Sequence, residues 1–132
     1  MKRLFLVVFA AVLSFSVAAD EPKAVDLATN WLKVVDAGKY AESWNQSGPM
    51  FQRQLSTKEW EQALTKVRTP LGKTLKRTVK TSNEYNSLPG APDGEYIVVD
   101  LETSFQNKKA ALETVTVRKT NDEWRVVGYF IN

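Results

Sequence analysis

The sequence predicts an α+β fold, with N-terminal helices packed on a curved four-stranded antiparallel sheet in the manner of a cone-like half-barrel. Three observations carry this expectation. Apolar residues recur at spacings of three and four as far as Gly72, and at a spacing of two beyond it. Four β-rich runs then follow one another, the later ones joined by hairpin-length polar links. The chain has 132 residues, 43% hydrophobic and 25% charged, which is the composition of one globular domain and too little chain for two.

Residues 1–19 are expected to be a signal peptide. Lys2 and Arg3 precede an apolar run from Leu4 to Leu13, and the small residues Ser16-Val17-Ala18-Ala19 come just before the charged Asp20-Glu21. A positive start, a short apolar stretch and small residues at the cleavage positions are the marks of a secretory leader cut after Ala19. As a membrane anchor the stretch is short, because Leu4 to Ala19 is 16 residues and a spanning helix takes about 20. The domain then runs from 20 to 132, exported and periplasmic, with no stable membrane insertion once the leader is gone. The short leader suits a bacterial envelope protein. Lys2 and Arg3 leave with it, so the 18 basic and 15 acidic residues of the full chain become 16 against 15. Near-neutrality in a secreted compartment argues against a nucleic-acid partner.

The helices come first. Ala24, Leu27, Ala28, Trp31, Leu32 and Val35 form one apolar stripe over Pro22–Ala37. Pro22 suits the first turn and Gly38 the left-handed stop. A short helix is expected over Lys39–Asn45, with Tyr40, Ala41 and Trp44 on one side, broken by Ser47-Gly48-Pro49. Met50–Leu55 adds a turn or two. Ser56-Thr57-Lys58-Glu59 is a capping box opening a helix to about Arg68, with Trp60, Leu64 and Val67 inward and Pro70-Leu71-Gly72 closing it.

The expected strands are Thr74–Tyr85, Tyr96–Phe105, Ala111–Lys119 and Glu123–Ile131. Alternation places Leu75, Arg77 and Val79 on one face of the first, and Ile97, Val99, Leu101 and Phe105 inward on the second. Between them, Leu88-Pro89-Gly90-Ala91-Pro92-Asp93-Gly94 is a stiff connection, because its prolines fix φ and Asp-Gly supplies a turn. The last run is apolar on both sides, with Trp124, Val126 and Phe130 against Val127, Tyr129 and Ile131. At the edge of a simple meander this would be a liability. Either the strand lies centrally, or its second face is covered, for which a two-fold homodimer would serve.

Cys and His are absent. That excludes disulfides, thiol nucleophiles, lipid attachment at an N-terminal Cys, histidine acid–base chemistry and the usual zinc sites. No metal and no cofactor is expected.

Several segments together resemble a known family. They are Trp31-Leu32 with Val35-Asp36-Ala37-Gly38, Tyr40, Ser43-Trp44, Arg68 with Pro70-Leu71-Gly72, Leu88-Pro89-Gly90, Pro92-Asp93-Gly94 with Tyr96, Glu113-Thr114-Val115-Thr116, and Trp124-Arg125-Val126 with Gly128-Tyr129. Over nearly the whole mature chain the sequence is similar to domain of unknown function family 4019. The resemblance implies a small exported bacterial protein, similar in fold to the nuclear-transport-factor-two-like or cystatin-like cone. It implies no activity, cofactor or catalytic residue.

Four residues stand out as ligand-binding candidates: Glu113, Arg77, Tyr129 and Trp31. If Val115 and Val117 point inward, alternation carries Glu113 with them, and Arg77 follows Leu75 and Val79 in the same way. A carboxyl group in an apolar hollow holds its proton tightly and can serve as a general base. The plainer reading is a structural Glu–Arg pair at the rim, or a bulge that turns one of the two outward. Trp31, Trp60 and Trp124 could line a pocket for a flat or sugar-like ligand, although Trp31 and Trp60 sit on their helices' apolar stripes, where core packing is the simpler account. From Lys66 to Lys80 there are six positive charges and no acid. That stretch is either a landing strip for anionic groups or an edge strand whose Lys76 and Lys80 oppose Asp100 and Glu102. The leading expectation is a non-catalytic binding or interaction module of the cell envelope, with an envelope protein or a small molecule as partner. The alternative is a cone-type isomerase, dehydratase or hydrolase driven by a pocket carboxylate.

Overall fold

The computed structural model describes residues 20–132, so the expected leader lies outside the described residues. Helix α1 occupies 20–36, and its buried stripe is Ala24, Ala28, Trp31, Leu32 and Val35. It stops as the sequence suggests. Gly38 takes φ +77, the Lys39 N–H reaches the Val34 carbonyl (3.2 Å) and the Gly38 N–H reaches that of Val35 (2.9 Å), the paired bonds of a Schellman motif. Helices α2 (Tyr40–Asn45) and α3 (Pro49–Gln54) are single short turns. Helix α4 (Thr57–Leu71) opens on the expected capping box, Ser56 and Glu59 each bonding the other's backbone N–H. It runs past Arg68 and over Pro70 to Leu71. Proline in the last turn removes one N–H, yet the helix still closes through Gly72 N–H to the Arg68 carbonyl at 3.2 Å. Among the described residues, no helix is long and apolar enough to cross a membrane.

Strands β1 (Thr74–Tyr85), β2 (Glu95–Phe105), β3 (Lys108–Thr120) and β4 (Glu123–Ile131) form an open antiparallel sheet in sequence order. The β3–β4 turn is Asn121-Asp122 with φ +52 and +64, the two-residue turn whose twist matches the strands it joins. The helices cover one sheet face. Ile97, Val99, Leu101, Val115, Val117 and Val126 meet the α1 stripe, Phe51, Trp60 and Leu64 there in a single core.

The expected alternation along β4 is corrected by a bulge. Thr116 opposes Gly128 while Val117 opposes Val126, so Val127 is the additional residue. Val126 and Tyr129, which strict alternation separates, therefore both join the core side, and of the exposed large apolar residues Phe130 is the barest at 72%. β4 is an edge after all. It is partly covered from within the chain, where the Gly48 N–H bonds the Val126 carbonyl at 2.8 Å. A Cβ at Gly48 would lie 3.1 Å from the Val127 side chain, so glycine suits this crossing.

The basic strand also departs from expectation. Register shifts fall between Thr74 and Lys76 and between Val79 and Thr81, and Lys76 opposes Ser104. Lys80 approaches Glu102 at 3.8 Å, both side chains being exposed. Among the described residues Asp100 pairs with no lysine and instead accepts from the Thr114 (2.7 Å) and Thr81 (3.3 Å) hydroxyls.

Candidate functional site

Six elements converge at one end of the helix layer. Asp36 ends α1 just before the Schellman turn. Arg68 continues the Trp60–Leu64 stripe of α4, which places it on the buried side. Beyond Gly72 the chain reverses into β1, bringing Thr74 and Arg77 alongside. Arg77 opposes Thr103 of β2, and Glu113 of β3 is one diagonal step from Thr103 and from Tyr129 of β4. The β2–β3 turn packs against the same corner through Asn107 N–H to the Leu71 carbonyl, 2.9 Å.

These side chains form a closed network. Glu113, 0% exposed, accepts on Oε1 from Arg77 Nε (2.7 Å) and Thr103 Oγ1 (2.5 Å), and on Oε2 from the Tyr129 hydroxyl. Arg77 turns its other two nitrogens to Asp36, Nη1 to Oδ2 at 2.7 Å and Nη2 to Oδ1 at 3.0 Å. Asp36 Oδ1 also accepts from Arg68 Nη2 (2.6 Å) and Thr74 Oγ1 (2.9 Å). Arg68 completes the circuit with Nη1 at 3.5 Å from the Tyr129 oxygen, and its guanidinium lies 5.1 Å from the Phe105 ring centre. Two arginines balance two carboxylates. Side-chain exposure rises from Glu113 through Arg68 (6%) and Arg77 (11%) to Asp36 (22%), so the network runs from core to rim.

The protonation energetics follow the contacts. Burial opposes ionising Asp36, but hydrogen bonds from Arg77 and Arg68 outweigh it and hold the carboxyl below its ordinary range. Burial likewise opposes the charge on Arg77, and the bonds to Asp36 and Glu113 reverse this and make its proton harder to remove. Burial, then the neighbouring Glu113 charge and hydrogen bond, push the Tyr129 phenol well above its usual value. Tyr129 is thus a neutral donor at physiological pH.

The hollow beside this network is filled. The Tyr129 ring meets Trp31 edge-on at 5.5 Å and Trp60 at 6.4 Å, and Phe51 meets Trp60 edge-on at 4.9 Å. Ser43 fixes both indoles, its carbonyl accepting from Trp31 Nε1 and its hydroxyl from Trp60 Nε1, each at 2.9 Å. The structure therefore brings Glu113, Arg77 and Tyr129 into direct contact with Trp31 against them, and they engage one another. None of the four lines the best-formed cavities among the described residues. A cavity of about 230 Å³ lies at the rim, lined by Asp36, Arg68, Tyr40 and Lys73 among others. Sequence reasoning did not single out Asp36, Arg68 or Thr103 as site residues. The available signal was Arg68, a charge falling in phase with the Trp60–Leu64 stripe.

A family model described as "Protein of unknown function (DUF4019)" matches residues 27–129. The chain belongs to the DUF4019 family. The matched segment takes in every member of the network, from Asp36 on α1 to Tyr129 on β4. In this DUF4019 chain the family segment takes in the hydrophobic core except for Ala24 and Val25 at the start of α1. No curated protein matches the chain.

Proposed function

We propose that this DUF4019 protein is an exported, non-catalytic binding module of the cell envelope that contacts its partner through its surface. The observation that supports this reading most is the saturation of Glu113. A general base must reach a substrate proton at hydrogen-bond distance, and both oxygens of this buried carboxylate are already taken by Arg77, Thr103 and Tyr129. The network acts as a staple for the fold, and recognition falls to the outer sheet face and the loops. Export rests on the leader features at residues 1–19.

Native mass spectrometry of the protein recovered from its own periplasm tests the reading. A chain beginning at Asp20, carrying a retained ligand or a second protein, supports it. Recovery only from the cytoplasm with the leader intact overturns export. Turnover of a retained ligand by wild type and not by Glu113→Gln overturns the non-catalytic assignment.

A further inference from the structure

The outer face of the sheet, opposite the helices, carries a groove of about 480 Å³ where β1, β2 and the start of β3 run side by side. Bulges make this corner irregular, two in β1 and one in β3, where Lys108–Ala111 opposes Thr103–Phe105 of β2, and bulges re-aim side chains out of a regular pleat. The volume is in the range of small-molecule sites. Lys76 and Lys80 rise from β1 and Lys109 from β3, with the Thr78 and Ser104 hydroxyls between them and Leu112 on the apolar part of the lining. Glu102 lines the groove and approaches Lys80, and the last residue, Asn132, lines it too; Lys76 and Lys109 have no acidic side chain within 4 Å among the described residues. Edge protection accounts for lysines on β1. Lys109 lies on the stretch of β3 that runs past β4, whose register with β3 begins at Glu113, and it lines the same groove as the β1 lysines. Phe130, the most exposed large apolar residue, is one diagonal step from Leu112 on this same face.

We propose that this groove binds an anionic amphiphile, with a phosphate or carboxylate headgroup held by Lys76, Lys80 and Lys109 and an apolar body laid over Leu112 towards Phe130. The chemistry requires both halves. Lys76 and Lys109 lack an acidic partner, so a bound anion would offset their charge, and the Thr78 and Ser104 hydroxyls supply donors to the same headgroup. The bare phenyl ring beside the groove gains by being covered. This inference rests on the surface-binding reading above and deepens it.

The test is calorimetric titration of the mature protein with octyl phosphate below its micelle concentration, with inorganic phosphate as competitor. A parallel flotation assay uses phosphatidylcholine vesicles with and without phosphatidylglycerol. Octyl phosphate is expected to bind and inorganic phosphate to compete. Lys76→Gln/Lys109→Gln is expected to weaken binding about 25-fold, at roughly fivefold per lysine. Glu102→Gln is expected to tighten it. Lys58→Gln/Lys66→Gln on α4, which changes net charge equally, is expected to leave it unchanged. Lysine-dependent flotation with phosphatidylglycerol identifies the ligand as a bilayer headgroup, while binding of octyl phosphate without flotation identifies a soluble ligand. The proposal is overturned if neither probe binds, if the α4 variant weakens binding as much as the groove variant, or if only an acidic peptide binds. All of those results leave the non-catalytic reading standing, since that reading falls only with Glu113-dependent turnover.

Discussion

Replacing Glu113 by Ala removes the acceptor for three buried donors at once, and the size of the effect follows from what each retains. Arg77 keeps both bonds to Asp36; the Tyr129 and Thr103 hydroxyls lose the acceptor they donate to. Breaking a buried ion pair costs about 3–5 kcal/mol, and each stranded hydroxyl costs about 1–3 kcal/mol. These terms overlap because the groups share one network. A loss of about 4 kcal/mol is therefore expected, a large fraction of the roughly 5–15 kcal/mol that holds a domain folded. At about 2.1 cal/mol/K of unfolding entropy per residue, the domain from 20 to 132 changes by roughly 0.24 kcal/mol per degree, so Tm falls by about 17 °C. Glu113→Gln keeps the shape and loses the charge, and is expected to cost about half as much. Urea unfolding followed by tryptophan emission measures both, because Trp31 and Trp60 pack on Tyr129. Replacing both partners, Glu113→Leu with Arg77→Met, should cost less than Glu113→Ala alone, since no carboxylate or guanidinium is then stranded. A Glu113→Ala protein within about 1 kcal/mol of wild type would refute the argument that this network fastens the fold.

Acid sensitivity should track Asp36. Its pKa is depressed on folding, so its contribution is complete above the ordinary value of 3.8 and is lost as pH falls through the folded one. Asp36→Asn should be less stable at neutral pH and show a flatter acid limb in denaturation midpoints measured across pH. Tyr129 has the opposite sign: its folded pKa is raised, so it stabilises below 10.0 and loses this as pH climbs beyond. Tyr129→Phe should flatten the alkaline limb. Ser43→Ala strands the Trp60 indole N–H and should cost about 1–3 kcal/mol, with a shift in tryptophan emission. Gly72→Ala meets a backbone at φ +75, ψ −156 and a Cβ contact of 2.8 Å to Gln106, which should cost about 1–3 kcal/mol in the same unfolding assay.

What the sequence disclosed was what local chemistry decides. The capping box at Ser56, the stop at Gly38, and the change of period at Gly72 each depend on residues within a turn of one another, and all appear where expected. Alternation also placed Glu113 with Val115 and Val117, and Arg77 with Leu75 and Val79; Glu113 and Arg77 meet at 2.7 Å, but Leu75 and Val79 are exposed, beside the two register shifts of β1. The bulges were not legible. A bulge is chosen when displacing one residue lets two others pack, and the partners deciding it lie on different strands. Val127 is displaced so that Val126 and Tyr129 both face inward, and nothing in Trp124–Ile131 alone distinguishes this from strict alternation. The filling of the hollow escaped for the same reason: Trp31, Trp60 and Tyr129 are far apart in sequence, and their volumes are fitted to one another only in the fold.

The placement of the network explains why a small core tolerates four charges. Three of the four lie near the end of an element, Asp36 closing α1, Arg68 in the last turns of α4 and Arg77 near the start of β1, while Glu113 sits inside β3. Apolar packing holds helices on a sheet but is non-directional, so it leaves their sliding along the sheet weakly specified. A guanidinium shared between Asp36 and Glu113 is directional, and it is satisfied only when α1, β1 and β3 are in one relative register. Sliding α1 by one turn, about 5.4 Å, would take Asp36 away from Arg77 and Arg68 and leave two largely buried guanidiniums sharing Glu113 alone, a larger penalty than the apolar contacts it would exchange. The network therefore selects a single docking of the helix layer. This is consistent with its closure: a catalytic cluster leaves a position open for substrate, whereas a register lock works best when every donor and acceptor is already spoken for.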